Sequence, residues 1–308
     1  MNEYIPTLKD LGTGNLSRLQ VVQAYVQKGN VDQALTECLD IIEHDPQHPM
    51  GHLVLGWIYL IRGQLAEATT AVEKSLALDP SLAKGYLILS HLKSEAGDLG
   101  SAIDFCELSV RYAPEDSFNY LMLGDLYAGT EEVEQAIRAY RLAVKYNTQL
   151  PLVHFKLASV LAEQGRESEA INEVQQALLL NPGAARAHQL LGDIYFARQE
   201  YAEAVREFQR SVQLNPQLYE GFHKIGMAFL ELGQYGLALT NFRQALLVNP
   251  KSAETHYGLA RLYARMGQPE QVSTEIDEAL AINPRLGELH PDIDDLVAGL
   301  KNACTSTE

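Results

Sequence analysis

Proline recurs along this 308-residue chain at one interval. Pro46, Pro80 and Pro114 stand 34 residues apart, and so do Pro182, Pro216, Pro250 and Pro284; the missing rung falls at Thr148. Most of these prolines close an apolar run through Asn or Asp, as in "ALLVNP" at Ala245–Pro250 and "SLALDP" at Ser75–Pro80. Counting back 31 residues from each rung gives eight frames, which begin at Asn15, Pro49, Ala83, Ser117, Pro151, Ala185, Tyr219 and Ala253. They cover residues 15–286 without an insertion or deletion. So long and strict a period requires one supersecondary unit repeated, each copy burying its apolar face against its neighbours.

Positions within a frame are numbered here as slots 1–34. Slots 4, 7, 8, 10 and 11 are mostly apolar, aromatic or small, which predicts a first helix with one buried face. Slot 15 is glycine in six frames (Gly29, Gly63, Gly97, Gly165, Gly233 and Gly267), a residue that ends helices in the left-handed conformation. A second amphipathic helix follows, "YAEAVREFQRSVQLN" at Tyr201–Asn215 in frame six, and proline at slot 32 stops it. Slot 8 holds Gly56, Ser90, Gly124, Ala158, Gly192, Gly226 and Ala260, and slot 20 holds Ala34, Ala68, Ala102, Ala136, Ala170, Ala204 and Ala238. Small residues at both slots predict a helix crossing between them. Larger side chains fill slot 11 (Tyr25, Tyr59, Tyr127, Tyr195, Phe229, Tyr263) and slot 24 (Tyr140, Phe208, Phe242).

This pattern closely resembles the tetratricopeptide repeat family. Frame six carries it almost whole, as His188, Leu191, Gly192, Tyr195, Ala204, Phe208, Ser211 and Pro216. The resemblance implies an all-α fold: a right-handed α-solenoid of helix-turn-helix repeats with a C-terminal capping helix. Residues 1–14 are then an N-terminal extension, 15–286 the eight repeats, and 287–308 the cap and tail. Pro291 opens the expected cap, with Ile293, Leu296, Val297 and Leu300 on one stripe. Departures are local. Slot 4 is histidine at His52, His154, His188 and His256, slot 20 of frame eight is Val272, and slot 15 is Glu131 and Gln199 in frames four and six.

Nothing in the chain reads as catalytic. GxSxG, HExxH and Walker motifs are absent, and Gly12 and Gly14 give only a GxG with no strand before it. No cofactor or metal is expected. His44, His48 and His52 are spaced by four, but Pro46 and Pro49 break the helix that would align them. Cys38 and Cys106 occupy slot 24, two repeats apart, and are expected as buried thiols rather than a disulfide. The net charge of −16 argues against nucleic acid and anionic membrane surfaces. No signal peptide and no membrane-inserting run is read in the sequence, so a cytoplasmic protein is expected.

The family lines its concave face with first-helix slots 2, 5, 9 and 12, and the resemblance places those positions in a groove. A ladder of Leu19, Leu53, Leu87, Leu121 and Phe155 runs along slot 5 of the first five frames, with Trp57, the single tryptophan, at slot 9. These six are the candidate partner-binding residues; the same leucines also suit packing between neighbouring repeats. Later frames turn polar, through Gln189, Asp193, Glu220, His223, Glu254 and Arg261. The family's best-known clamp uses Lys and Asn at slots 5 and 9 to hold a carboxylate, which Leu19 with Gln23 and Leu53 with Trp57 cannot do. The expected activity is a non-enzymatic scaffold that takes an apolar segment of a partner protein or peptide. A self-assembling homo-oligomeric subunit, or a targeting module for a separate enzyme, is the alternative. "NEYIPTL" at Asn2–Leu8 is a candidate to occupy the same groove.

Overall fold

The structure is a computed structural model that describes residues 16–293 and 296, with side chains from Arg18 onward. Asn2–Leu8, Leu16 as a side chain, Cys304 and most of the expected cap and tail lie outside the described residues. All described secondary structure is helical, in consecutive antiparallel pairs.

The chain divides into two compact units, Met1–Val153 and His154–Glu308. The first holds α1 (Leu16–Gln27), α2 (Val31–His44), α3 (Pro49–Ile61), α4 (Leu65–Leu78), α5 (Ala83–Glu95), α6 (Leu99–Tyr112), α7 (Ser117–Gly129) and α8 (Val133–Tyr146). The boundary falls within α9 (Pro151–Glu163). The second unit continues with α10 (Glu167–Leu180), α11 (Ala185–Ala197), α12 (Tyr201–Leu214), α13 (Tyr219–Glu231), α14 (Tyr235–Val248), α15 (Ala253–Arg265) and α16 (Pro269–Ile282). A single turn, α17 (Leu286–Leu289), was not foreseen; its Leu286 joins Ile293, Ile276 and Tyr257 in the last core cluster.

The turns explain the recurring residues. Slot 15 takes a positive φ in every frame, from 61° at Gln199 to 79° at Gly97. In frame one Gly29 N–H donates to Val26 and Asn30 N–H to Tyr25, which caps the last carbonyls of α1. Glu131 and Gln199 adopt the same conformation, at φ 62° and 61°, and keep the same bonds. A side chain there is strained, because its Cβ crowds the following carbonyl. Glu131→Gly and Gln199→Gly should therefore each stabilise the fold by about 0.5–1 kcal/mol, after allowing for glycine's greater freedom when unfolded. Urea denaturation checks this; unchanged or lower midpoints would show the strain to be absorbed elsewhere.

The Asn or Asp at slot 31 folds its side chain over the proline. Its Oδ1 accepts the backbone N–H two residues on: Asp45 from Gln47, Asp79 from Ser81, Asn147 from Gln149, Asn181 from Gly183, Asn215 from Gln217, Asn249 from Lys251 and Asn283 from Arg285. Frame four lacks its proline at Thr148, yet Asn147 makes the turn regardless. Frame three has Ala113 at slot 31. There buried Asn119 donates to the carbonyls of Ser109 and Ala113 instead, at 3.2 and 3.1 Å.

The helix crossing draws in a third slot. The slot-20 alanines are fully buried, but the closest partner of slot 8 is slot 24. A Cβ added at Gly124 would lie 2.5 Å from the Tyr140 ring, and one at Gly192 2.5 Å from Phe208. In frames four, six and seven a slot-24 ring takes the space above the slot-8 glycine, while slot 20 still meets slot 8 at the backbone, as where Ser90 Oγ donates to the Ala102 carbonyl at 2.7 Å.

Candidate partner-binding site

The slot-5 ladder lies inside the first unit. Leu19 is 1% exposed, Leu53 3%, Leu87 8% and Leu121 1%, and Trp57 at slot 9 is 7% exposed. Leu19, Leu53 and Trp57 share one core cluster with Val22, Val54, Ile58 and Ile88, while Leu87 packs with Cys106, Met122 and Leu126. Slot 5 in these frames therefore joins successive repeats, the packing role that the sequence left open. Such side chains offer a partner little surface.

Phe155 is placed differently. It is half-buried and lines a cavity of about 430 Å³ in the second unit, with Arg186, Gln189, Leu190, Asp193, Leu218, Tyr219 and Glu220. Phe155 is slot 5 of α9, Arg186, Gln189, Leu190 and Asp193 are slots 2, 5, 6 and 9 of α11, and Tyr219 and Glu220 open α13 after its N-cap Leu218, so one first-helix face does converge there. The floor is apolar through Phe155, Leu190 and Leu218. The rim is polar, and most of it is already paired.

Those pairs run between repeats. Gln189 donates to Glu220 at 3.2 Å, Lys224 meets Asp193 at 2.7 Å, and Arg261 meets Glu231 at 2.9 Å. Desolvation raises the Asp193 carboxyl above its ordinary range, and the Lys224 ammonium partly offsets that. His223, beside them on α13, is pushed down to about 4 by burial, and then by the Lys224 and Arg261 cations. It is neutral at pH 7, with Nδ1 3.3 Å from Thr255 Oγ1. Arg186 differs from its neighbours: no described residue holds its guanidinium, and it stands exposed at the cavity mouth.

The slot-4 histidines of the second unit are structural. His154, His188 and His256 each meet a glutamate (Glu173, Glu207, Glu275) at 2.7 Å across their own helix pair. The sequence carried that signal, since each glutamate lies 19 residues after its histidine. His48 caps α3, accepting from Gly51 N–H at 3.3 Å, which separates it from the His44 and His52 series. Burial pushes the Cys38 and Cys106 thiols up to about 12, and each is buried and unbridged. Among the described residues no group of three or more His, Cys, Asp or Glu is placed to hold a metal ion. Nor is any described helix long and apolar enough to cross a membrane.

Helical hairpins in unbroken register, with a cavity built from first-helix positions, define a helical-repeat protein. Profiles of the tetratricopeptide repeat match residues 21–83, 121–179 and 155–219, and a second profile of that description matches 229–300. The chain belongs to the tetratricopeptide repeat family, whose members generally serve as non-catalytic protein-interaction modules. Solved structures agree on the fold. YrrB, described as a TPR protein with an unusual peptide-binding site, is 21% identical with a TM-score of 0.53, over 60% of this chain and 96% of its own. The C-terminal part of a TPR repeat-containing protein from Cytophaga hutchinsonii is 18% identical, TM-score 0.62, over 74% and 94%. The Cut9–Hcn1 hetero-tetramer of APC/C matches 97% of this chain and 58% of the matched chain, at 19% identity and a TM-score of 0.60. No curated protein sequence matches the chain.

Proposed function

We propose that this chain is a non-enzymatic scaffold that seats a segment of a partner protein in the cavity beside Phe155. The observation that carries this reading is the cavity itself: an apolar floor of Phe155, Leu190 and Leu218 under a rim whose Arg186 is unengaged. An apolar side chain of the segment fills the floor, and an acidic or carbonyl group meets the guanidinium fork. Family membership makes a protein or peptide the ligand class. The buried leucines and Trp57 hold the first unit together, so in this reading the Phe155 cavity and not the slot-5 ladder seats the segment.

Peptides selected from a random display library on the full chain provide the test. Phe155→Ala should weaken the selected peptides about tenfold or more, the loss expected when a central anchor is truncated. Arg186→Ala should weaken those with an acidic residue and leave the helical signal intact. Selected peptides indifferent to both substitutions would place the site elsewhere.

A further inference from the structure

Slot 4 follows a rule that frame two breaks. Histidine at slot 4 meets glutamate at slot 23 in frames five, six and eight, and in frame one Arg18 meets Glu37 at the same two slots. Tyrosine at slot 4 is covered by a tyrosine from slot 30: Tyr86 on Tyr112 and Tyr120 on Tyr146, with centroids 5.4 and 5.3 Å apart. Frame two has histidine at slot 4 with neither companion. Slot 23 is Ala71 and slot 30 is Leu78. His52 Nε2 bonds the Pro46 carbonyl at 3.0 Å, as His188 Nε2 reaches Pro182 at 3.4 Å. Its Nδ1, the atom that meets glutamate elsewhere, has no partner among the described residues.

A cleft of about 450 Å³ opens at this place in the first unit. The His52 imidazole and the Lys74 ammonium stand at its edge, and Leu55, Tyr59, Ala66 and Ala71 form its apolar wall. Lys74 has no ion pair among the described residues. Glu67, also on the rim, accepts from Gln64 at 3.1 Å. We propose that this cleft binds a glutamate side chain of a partner protein, with an apolar residue beside it. The partner would supply the carboxylate that slot 23 supplies in the other frames. A histidine that donates from both ring nitrogens is positively charged, so the carboxylate meets two cations. The apolar wall has room for the neighbouring side chain of the ligand.

The probe is the capped tripeptide acetyl-Leu-Glu-Phe-amide, titrated against the full chain by calorimetry, with its Gln counterpart as control. The Glu peptide should bind about tenfold or more tighter than the Gln peptide, the usual margin for a charged hydrogen-bonded pair. Ala71→Glu should remove that binding by the same factor and raise the melting temperature, because the chain's own carboxylate then takes Nδ1. His52→Phe, which copies Phe222 at slot 4 of frame seven, should abolish the preference for Glu while keeping the helical signal. Equal binding of the two peptides, no binding of the Glu peptide at millimolar concentration, or indifference to Ala71→Glu would overturn the proposal. Loss on Phe155→Ala would also overturn it, by assigning the peptide to the other cavity.

Discussion

Trp57→Ala should cost the first unit about 3–5 kcal/mol, the range for removing a large aromatic from a packed interior. The indole is 7% exposed and packed in the cluster of Leu53, Val54, Ile58, Ile88, Leu89 and Leu92. Truncation leaves a cavity between α3 and α5, which belong to successive repeats. Because repeats are stabilised by their neighbours, the loss should reach frames one and three as local melting. Trp57→Phe, which keeps most of the volume, should cost far less. The residue is also the only tryptophan, so its own fluorescence reports the first unit's unfolding. A Trp57→Ala protein within about 1 kcal/mol of the parent in urea would return the indole to the surface and reopen the ladder as a contact face.

The distance between what the sequence tells and what it leaves out is clearest at this residue. A slot number fixes which way a side chain leaves its helix, and the 34-residue register made every slot legible. Gly29 and its counterparts, the slot-20 alanines and the slot-31 turns therefore followed from position alone. Depth does not follow from position. Leu53 and Phe155 share slot 5, yet one is interior and the other lines a cavity, because depth depends on the bulk supplied by neighbouring frames. Pairing is legible only when two slots are read together. His188 and Glu207 look like unrelated surface residues until the same combination is seen at 154 and 173, and at 256 and 275. The frame-two cleft is the negative of that pattern, and needs both the rule and its exception. The cap is different again: only Ile293 and Leu296 of its expected stripe fall among the described residues, and both pack on the last repeat.

Gly192→Val should destabilise the second unit by about 3 kcal/mol, at the upper end of the cost of overpacking. Its first added carbon would lie 2.5 Å from Phe208 Cε1 and 2.6 Å from Cδ1, closer than two carbons can approach. Phe208 is fully buried and cannot swing aside. The other frames say what would relieve the clash. Glycine at slot 8 faces the rings of Tyr140, Phe208 and Phe242 and, at Gly56, the side chain of Val72, whereas Val22 and Ser90 share their frames with the small Cys38 and Cys106. Slots 8 and 24 thus share one space, and Val22–Cys38 divides about the same volume as Gly192–Phe208 the other way round. Phe208→Cys alone should cost about 3–5 kcal/mol through the void it leaves. Gly192→Val combined with Phe208→Cys copies the Val22–Cys38 pair, and should cost less than either single change. A double-mutant cycle in urea should then give a coupling of about 2 kcal/mol or more, near the top of the range for residues in contact. Additive losses would mean that the two slots do not share one space. The small residues at slot 8 would then need an explanation other than the ring that faces them.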